Sequence, residues 1–264
     1  MRRHAGARDP WGMATAPPLL SPELEEMLKL VGDADSVELK LTVPDEDRQS
    51  AAAALGVDPL NARIRQVWFF DTPDLALDGT GVVVRARRTQ AAPDDTVVKL
   101  RPVVPGDLPA KLRAREDFVV EVDAMPGSFV CSASFKGQPR AGGVKESVSG
   151  QRPLRKLFSK PQRAFFAEHA PEGVELDDLA LLGPINVFKL KVLPAGLDRK
   201  LAVELWLYPD GSRIMELSTK CAPADWFEAT TQSRDHLKEL GIDLTGDQAT
   251  KTRAALEYFA GLES

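Results

Sequence analysis

The sequence predicts a mainly β protein (α+β in class) whose strands close into a barrel with a polar interior, with helices packed around it. Three observations carry this. First, short strand-like segments bear charge on alternate residues: Ser36-Val37-Glu38-Leu39-Lys40, Arg85-Ala86-Arg87, Lys99-Leu100-Arg101, Glu121-Val122-Asp123, Lys189-Leu190-Lys191 and Glu216-Leu217-Ser218-Thr219-Lys220. Residues two apart in a strand share a face, so each segment aims two charges one way and packs aliphatic residues the other way. Second, an ordinary half-buried strand turns its apolar side inward. Here charged sets of both signs recur on strand after strand, which implies a lumen suited to a highly charged ligand. Third, the chain ends in two helical stretches able to cover such a barrel.

The elements follow in order. Ser36 to Val43 is the first strand. Pro44-Asp45-Glu46 opens a helix, with acidic residues at the positive end of its dipole, and Gly56 stops it after Leu55. Ile64 to Phe70 is a strand rich in β-branched and aromatic residues. Asp71 to Asp74 is a turn, and a short helical or turn segment leads to Gly81. Val82 to Arg88, Thr96 to Val103 and Lys111 to Asp123 are strands, with a loop at Pro105-Gly106-Asp107. Residues 124–150, rich in Gly and Ser, read as an insert or a linker. Leu154 to Glu168 combines a helix with a strand at Ala164-Phe165-Phe166. Asn186 to Val192, Lys200 to Leu207 and Ile214 to Lys220 are strands, the last two joined by a turn at Pro209-Asp210-Gly211-Ser212. Helices at Pro223 to Leu240 and Gly246 to Phe259 close the chain.

Composition narrows the function. With 264 residues, 43% hydrophobic and 28% charged, the chain has the make-up of a globular protein. Its net charge of −5 argues against a nucleic-acid partner, so any anion site must be a local concentration of Lys and Arg. No apolar run reaches the length of a membrane span. Two cysteines, Cys131 and Cys221, are too few for a disulfide framework, which points to a cytoplasmic setting. Residues 1–33 read as a disordered tail and lead-in, with Met13 as an alternative start, followed by a tunnel domain at 34–221 and packed helices at 222–264. His4, His169 and His236 are scattered, so histidine catalysis is not expected.

Glu38-Leu39-Lys40, the stretch Phe69-Phe70-Asp71-Thr72-Pro73-Asp74-Leu75-Ala76-Leu77, and Val84-Arg85-Ala86-Arg87 resemble the CYTH superfamily, the triphosphate tunnel metalloenzymes. Lys99 and Arg101, Glu121 and Asp123, and then Glu204, Arg213, Glu216 and Lys220 continue the family's order. The resemblance implies an antiparallel eight-stranded β tunnel with flanking helices. It also implies a small-molecule triphosphate ligand (inorganic triphosphate, thiamine triphosphate or a nucleoside triphosphate) and a Mg²⁺ or Mn²⁺ cofactor. On this reading Lys40, Arg85, Arg87, Lys99, Arg101, Arg163, Lys189, Lys191 and Lys220 bind phosphate oxygens, the arginines by bidentate hydrogen bonds and the lysines as point charges. Glu38, Glu121, Asp123, Glu204 and Glu216 hold the metal, a hard ion that prefers oxygen ligands. The activity implied is hydrolysis of the triphosphate, with adenylate cyclisation as the alternative chemistry.

The sequence departs from the family pattern at two positions. Ser36 stands where the family's opening Glu-x-Glu-x-Lys has its first Glu, and Ser218 stands inside the second such motif. Two readings follow: a different carboxylate set, Glu121, Asp123 and Glu204, carries one metal, or the chain binds a polyphosphate without efficient hydrolysis. Arg213 is out of phase with Glu216 and should face outward. Trp206 and Tyr208 share the face of Glu204 and are expected at the tunnel mouth or in packing.

Overall fold

The structure, a computed structural model, describes residues 22–242 and 251–261. Its strands are β1 (Ser36–Val43), β2 (Arg63–Asp71), β3 (Val82–Thr89), β4 (Asp95–Leu100), β5 (Phe118–Met125), β6 (Ser128–Gly137), β7 (Ala180–Val192), β8 (Leu201–Leu207) and β9 (Arg213–Cys221). Its helices are α1 (Pro22–Gly32), α2 (Arg48–Ala54), α3 (Ala76–Gly79), α4 (Ala110–Arg113), α5 (Gly143–Val148), α6 (Lys160–His169), α7 (Trp226–Glu239) and α8 (Lys251–Ala260). The strands close into a barrel in the order β1-β5-β6-β4-β3-β2-β7-β8-β9.

The closed tunnel with flanking helices is as expected, but the eight-stranded antiparallel version is corrected. Nine strands form the wall, and β1 runs parallel to β5, with Ser36 opposite Glu121 and Glu38 opposite Asp123. A parallel neighbour requires a long crossover, which the β2–β4 segment supplies. The additional strand, β6, lies inside residues 124–150. It pairs with β5 through a tight hairpin in which Gly127 takes φ +75°, a region open to glycine. Its inward residues Ser132 and Ser134 are small and uncharged, while Cys131, Ala133 and Phe135 pack outward. The strand therefore lacks the alternating charge that marks its neighbours.

Three further boundaries move. Ala164-Phe165-Phe166 is helical: a capping box between Ser159 and Gln162 starts α6, and Phe165 and Phe166 lie on its buried side. The buried Gln162 amide then donates to the carbonyls of Thr96 and Phe135, tying α6 to β4 and β6. Lys111 lies in the one-turn helix α4, and the following strand begins only at Phe118. β7 starts at Ala180, six residues earlier than the sequence suggests, because Gly183-Pro184 disguises a bulged but continuous strand. Pro22–Gly32, read as lead-in, is helical, whereas residues 1–21 and the expected helix start at Gly246 lie outside the described residues.

Two apolar layers cover the outside of the barrel. One joins Val37, Val84, Val98, Val122 and Phe135 of the wall to Phe165 and Phe166 of α6. The other joins Leu41, Val203 and Leu217 to Leu55 and to Leu237 of α7. Each fully buried aliphatic or aromatic side chain in such layers contributes about 1.5–3 kcal/mol.

The stretch from Phe69 to Leu77 has a structural role. The Asp71 carboxylate is buried and accepts hydrogen bonds from the backbone N–H groups of Thr72 (2.7 Å), Leu77 (2.9 Å) and Asp78 (3.0 Å), which fixes α3 between β2 and β3. Gly81 then enters β3 with φ +78°, and a Cβ there would stand 2.0 Å from the Arg101 carbonyl oxygen. Only glycine allows that approach, which ties the end of β4 to the start of β3.

Candidate functional site

The barrel interior has an apolar end and a charged end. At the apolar end the inward residues Val67, Phe69, Val83, Ile185, Val187, Trp206 and Tyr208 enclose Ala255 and Leu256 of α8. The helix thus fills this end, and Tyr208 packs edge-on against Tyr258, with ring centroids 5.4 Å apart. Trp206 and Tyr208 are thus packing residues at this end. One or two residues further along the same strands, the interior becomes charged.

Half of the charged wall is balanced. Lys40 of β1 lies 2.8 Å from Asp123 and 3.5 Å from Glu38, which are direct neighbours across the parallel pair. Burial alone would lower the Lys40 pKa, but Asp123 and Glu38 raise it well above the lysine range. Burial opposes ionisation of Asp123 as well, yet Lys40 and Lys99 hold its pKa below the ordinary value. Glu121 takes a short contact from Lys220, with Lys136 at 3.7 Å. On the far side Lys189, Glu204 and Glu216 stand in one row across β7, β8 and β9. Lys189 contacts Glu204 at 2.7 Å, and Lys251, the first residue of α8, bridges Glu204 (2.7 Å) and Glu216. Burial would raise the Glu204 pKa, but Lys251 and Lys189 bring it well below the carboxylate range. Burial pushes the Glu216 pKa up instead, outweighing Lys251 and Lys40, with the facing Glu204 adding to the rise.

The other half, β2–β3–β4, carries surplus positive charge. Arg65, Arg85, Arg87 and Lys99 face inward here with one carboxylate among them, Asp95. Arg87 donates to Asp95 at 2.7 Å, and Arg85 reaches the same group only at 3.7 Å. Lys99 makes no hydrogen bond or ion pair among the described residues. The Arg65 Nε, Arg85 Nε and Ser134 Oγ atoms are buried with no hydrogen-bond partner among the described residues. Burial, then the neighbouring Arg87, lowers the Arg85 pKa to about 10, and burial, outweighing Asp123, lowers that of Lys99 to about 8. Buried donors and cations of this kind are costly unless something anionic meets them.

Lys40, Arg85, Arg87, Lys99, Lys189, Glu38, Glu121, Asp123, Glu204 and Glu216 are therefore gathered in one chamber. Lys220 reaches it from a half-exposed position, while Lys191 is exposed and Arg101 follows the end of β4 without an ion pair among the described residues. Arg163 stands apart: it is exposed on α6, outside the barrel, and donates to the Phe158 carbonyl at 2.8 Å. Arg213 is exposed, as its phase requires. Sequence reasoning passed over Arg65, Asp95 and Lys251. The alternation Arg63-x-Arg65 at the start of β2 was a usable signal for the first. Lys251 comes from a helix, where strand alternation says nothing. A largely apolar cavity of about 490 Å³ lies under α7 against β1 and β9, lined by Leu39, Leu41, Leu217 and Trp226 and also touched by Lys40 and Ser218.

The carboxylates do not make a ready metal site. Among the described residues no group of three or more His, Cys, Asp or Glu side chains is placed to hold an ion. Four of the five expected ligands form two pairs, Glu38 with Asp123 around Lys40 and Glu204 with Glu216 around Lys251, and the fifth, Glu121, is matched by Lys220.

No family model and no curated protein matches the chain. Solved structures do. A candidate adenylyl cyclase from Hippeastrum, described as having a dominant triphosphatase activity, aligns with TM-score 0.60 at 16% identity over 86% of this chain and 96% of that one. A candidate adenylate cyclase from Bacillus halodurans aligns with TM-score 0.58 at 13% identity over 83% of this chain and 97% of that one. At such identities the likeness establishes a shared fold, the tunnel barrel that the CYTH resemblance implies.

Proposed function

We propose that the chain binds a triphosphate-containing small molecule in the charged chamber, its phosphate oxygens lying against Arg65, Arg85, Arg87 and Lys99. The observation that carries this is the surplus wall: Arg85, Arg87 and Lys99 have one carboxylate, Asp95, among their strands, Arg65 only reaches the already crowded Glu204 at 3.3 Å, and buried donor atoms among them lack partners among the described residues. A polyphosphate has the charge to neutralise that wall and the oxygens to accept from the unpaired Nε and Oγ donors, with Arg binding bidentately and Lys as a point charge.

Hydrolysis of the bound triphosphate is the second reading, favoured by the fold shared with the Hippeastrum protein. Among the described residues the carboxylate pairs as they stand do not fit a divalent ion. The chain's own residues would bind and orient the phosphates and neutralise their charge, the larger part of phosphoryl-transfer catalysis. Binding and turnover should be measured together: calorimetry with tripolyphosphate, thiamine triphosphate and ATP, beside phosphate-release and cyclic-AMP assays in EDTA, Mg²⁺ and Mn²⁺. Saturable binding of one of these supports the reading; no binding of any of them overturns it.

A further inference from the structure

We propose that Lys251 is a built-in substitute for a divalent cation, a positioning residue that makes triphosphate binding in the chamber independent of metal. This rests on the proposed function for its ligand, but its geometry stands alone. Glu204 and Glu216 are direct partners across β8 and β9, both inward and both buried. Side chains so placed have Cβ atoms roughly 4.5–5.5 Å apart, and like charges there repel. A cation between them, or a proton on one of them, relieves this, and α8 supplies the cation. The Lys251 ammonium contacts Glu204 Oε2 at 2.7 Å and also Glu216 Oε1.

The remaining acceptor sites of Glu204 are also used. Its Oε2 accepts from the Trp206 indole N–H at 3.2 Å, and its Oε1 accepts from Lys189 at 2.7 Å and Arg65 at 3.3 Å. A carboxylate offers about four lone-pair sites, so none is left for a metal ion. The lysine is also held in place. Its ammonium sits 5.1 Å from the centre of the Trp206 ring, and Ala255 and Leu256 anchor its helix in the apolar end. The β1 side repeats the device with Lys40 between Glu38 and Asp123. Ser218, the next inward residue on β9 after Glu216, and Ser36, before Glu38 on β1, add no carboxylate to either pair.

The test uses Mn²⁺ alone and tripolyphosphate, on the full chain and on Lys251→Met. By calorimetry and electron paramagnetic resonance, the unaltered chain should bind no Mn²⁺. Lys251→Met should gain Mn²⁺ binding and a Mn²⁺-dependent rise in Tm. Tripolyphosphate should bind the unaltered chain in EDTA, with Kd moving less than about threefold when Mg²⁺ is added, well under one tenfold step of 1.4 kcal/mol. Mn²⁺ binding by the unaltered chain, or tripolyphosphate binding that appears only with Mg²⁺, overturns the inference and leaves the proposed function standing. Absence of tripolyphosphate binding under both conditions overturns the proposed function, while the Mn²⁺ arm still decides the role of Lys251. Should Lys251→Met fail to fold, adding Glu216→Gln removes the facing charge. Recovery of the fold then supports the counter-ion role, and failure to recover it contradicts that role.

Discussion

The two walls of the chamber are built from the same residue types and differ in how their charge is balanced. On β1, β5, β8 and β9 every inward carboxylate has a lysine against it, and the lysines at the centre are held between two acids. On β2, β3 and β4 the strands bring three arginines and a lysine but one inward carboxylate: Arg85 and Arg87 share Asp95, Arg65 reaches across to Glu204 at 3.3 Å, and Lys99 has no ion pair among the described residues. The first wall is a structural network: removing one member leaves a buried charge unmatched. The second is a receptor in which the missing counter-charge is the ligand. A strand pattern of alternating charge cannot separate the two, because the difference lies in which strand each residue faces across the barrel.

This division orders the expected effects of mutation. The largest should come from Lys40→Met, which strands Asp123 and Glu38. Breaking one side of a buried pair costs about 3–5 kcal/mol, read as a lower midpoint in urea. The Asp123 contact at 2.8 Å makes Lys40 part of the structural network as well as a candidate phosphate ligand. Next come Arg85→Met and Lys99→Met. Each removes charged contacts worth about 1.5–3 kcal/mol, so tripolyphosphate affinity should fall roughly ten- to a hundredfold, while the Tm of the empty protein holds or rises. A drop in Tm with affinity unchanged would place these residues in the structural network instead.

A smaller effect is expected from pH. In the folded protein Lys99 loses its proton near pH 8, against an ordinary value of 10.5. Between those values the unfolded chain holds more protons, so Lys99 makes stability rise with pH across that window. Binding needs the ammonium, so affinity should fall over the same range. Comparing the unaltered chain with Lys99→Met separates this from titration of the ligand itself, and parallel pH profiles would contradict it. The smallest effect should be that of Lys220→Ala. Its side chain is 48% exposed and Lys136 also serves Glu121, so the loss should stay under about 1 kcal/mol by denaturation.

The sequence made the charged wall legible wherever inward residues carried charge, because a period of two is local and survives any fold that keeps the strands. It was silent about β6, whose inward Ser132 and Ser134 look like loop composition, and about the parallel pairing of β1 with β5, which joins residues 85 positions apart at Ser36 and Glu121. It was also silent about Lys251, which reaches the chamber only because α8 packs into the opposite end of the barrel. The inward carboxylates share one space because alternation puts them on one face, but the lysine-centred pairing of Glu38 with Asp123 and of Glu204 with Glu216 depends on side-chain distances that no spacing encodes. Arg163 lies outside the barrel for the same reason that Ala164-Phe165-Phe166 is not a strand: the Ser159–Gln162 capping box makes that segment a helix on the outer layer.

The most direct test of the account is a calorimetric titration of tripolyphosphate into the full chain, beside a variant carrying both Arg85→Met and Lys99→Met. The account predicts saturable one-to-one binding by the unaltered chain and its loss in a variant that still unfolds cooperatively at an unchanged or higher Tm. Equal binding by both, or none by the unaltered chain, would contradict the claim that the surplus wall is a receptor for a triphosphate.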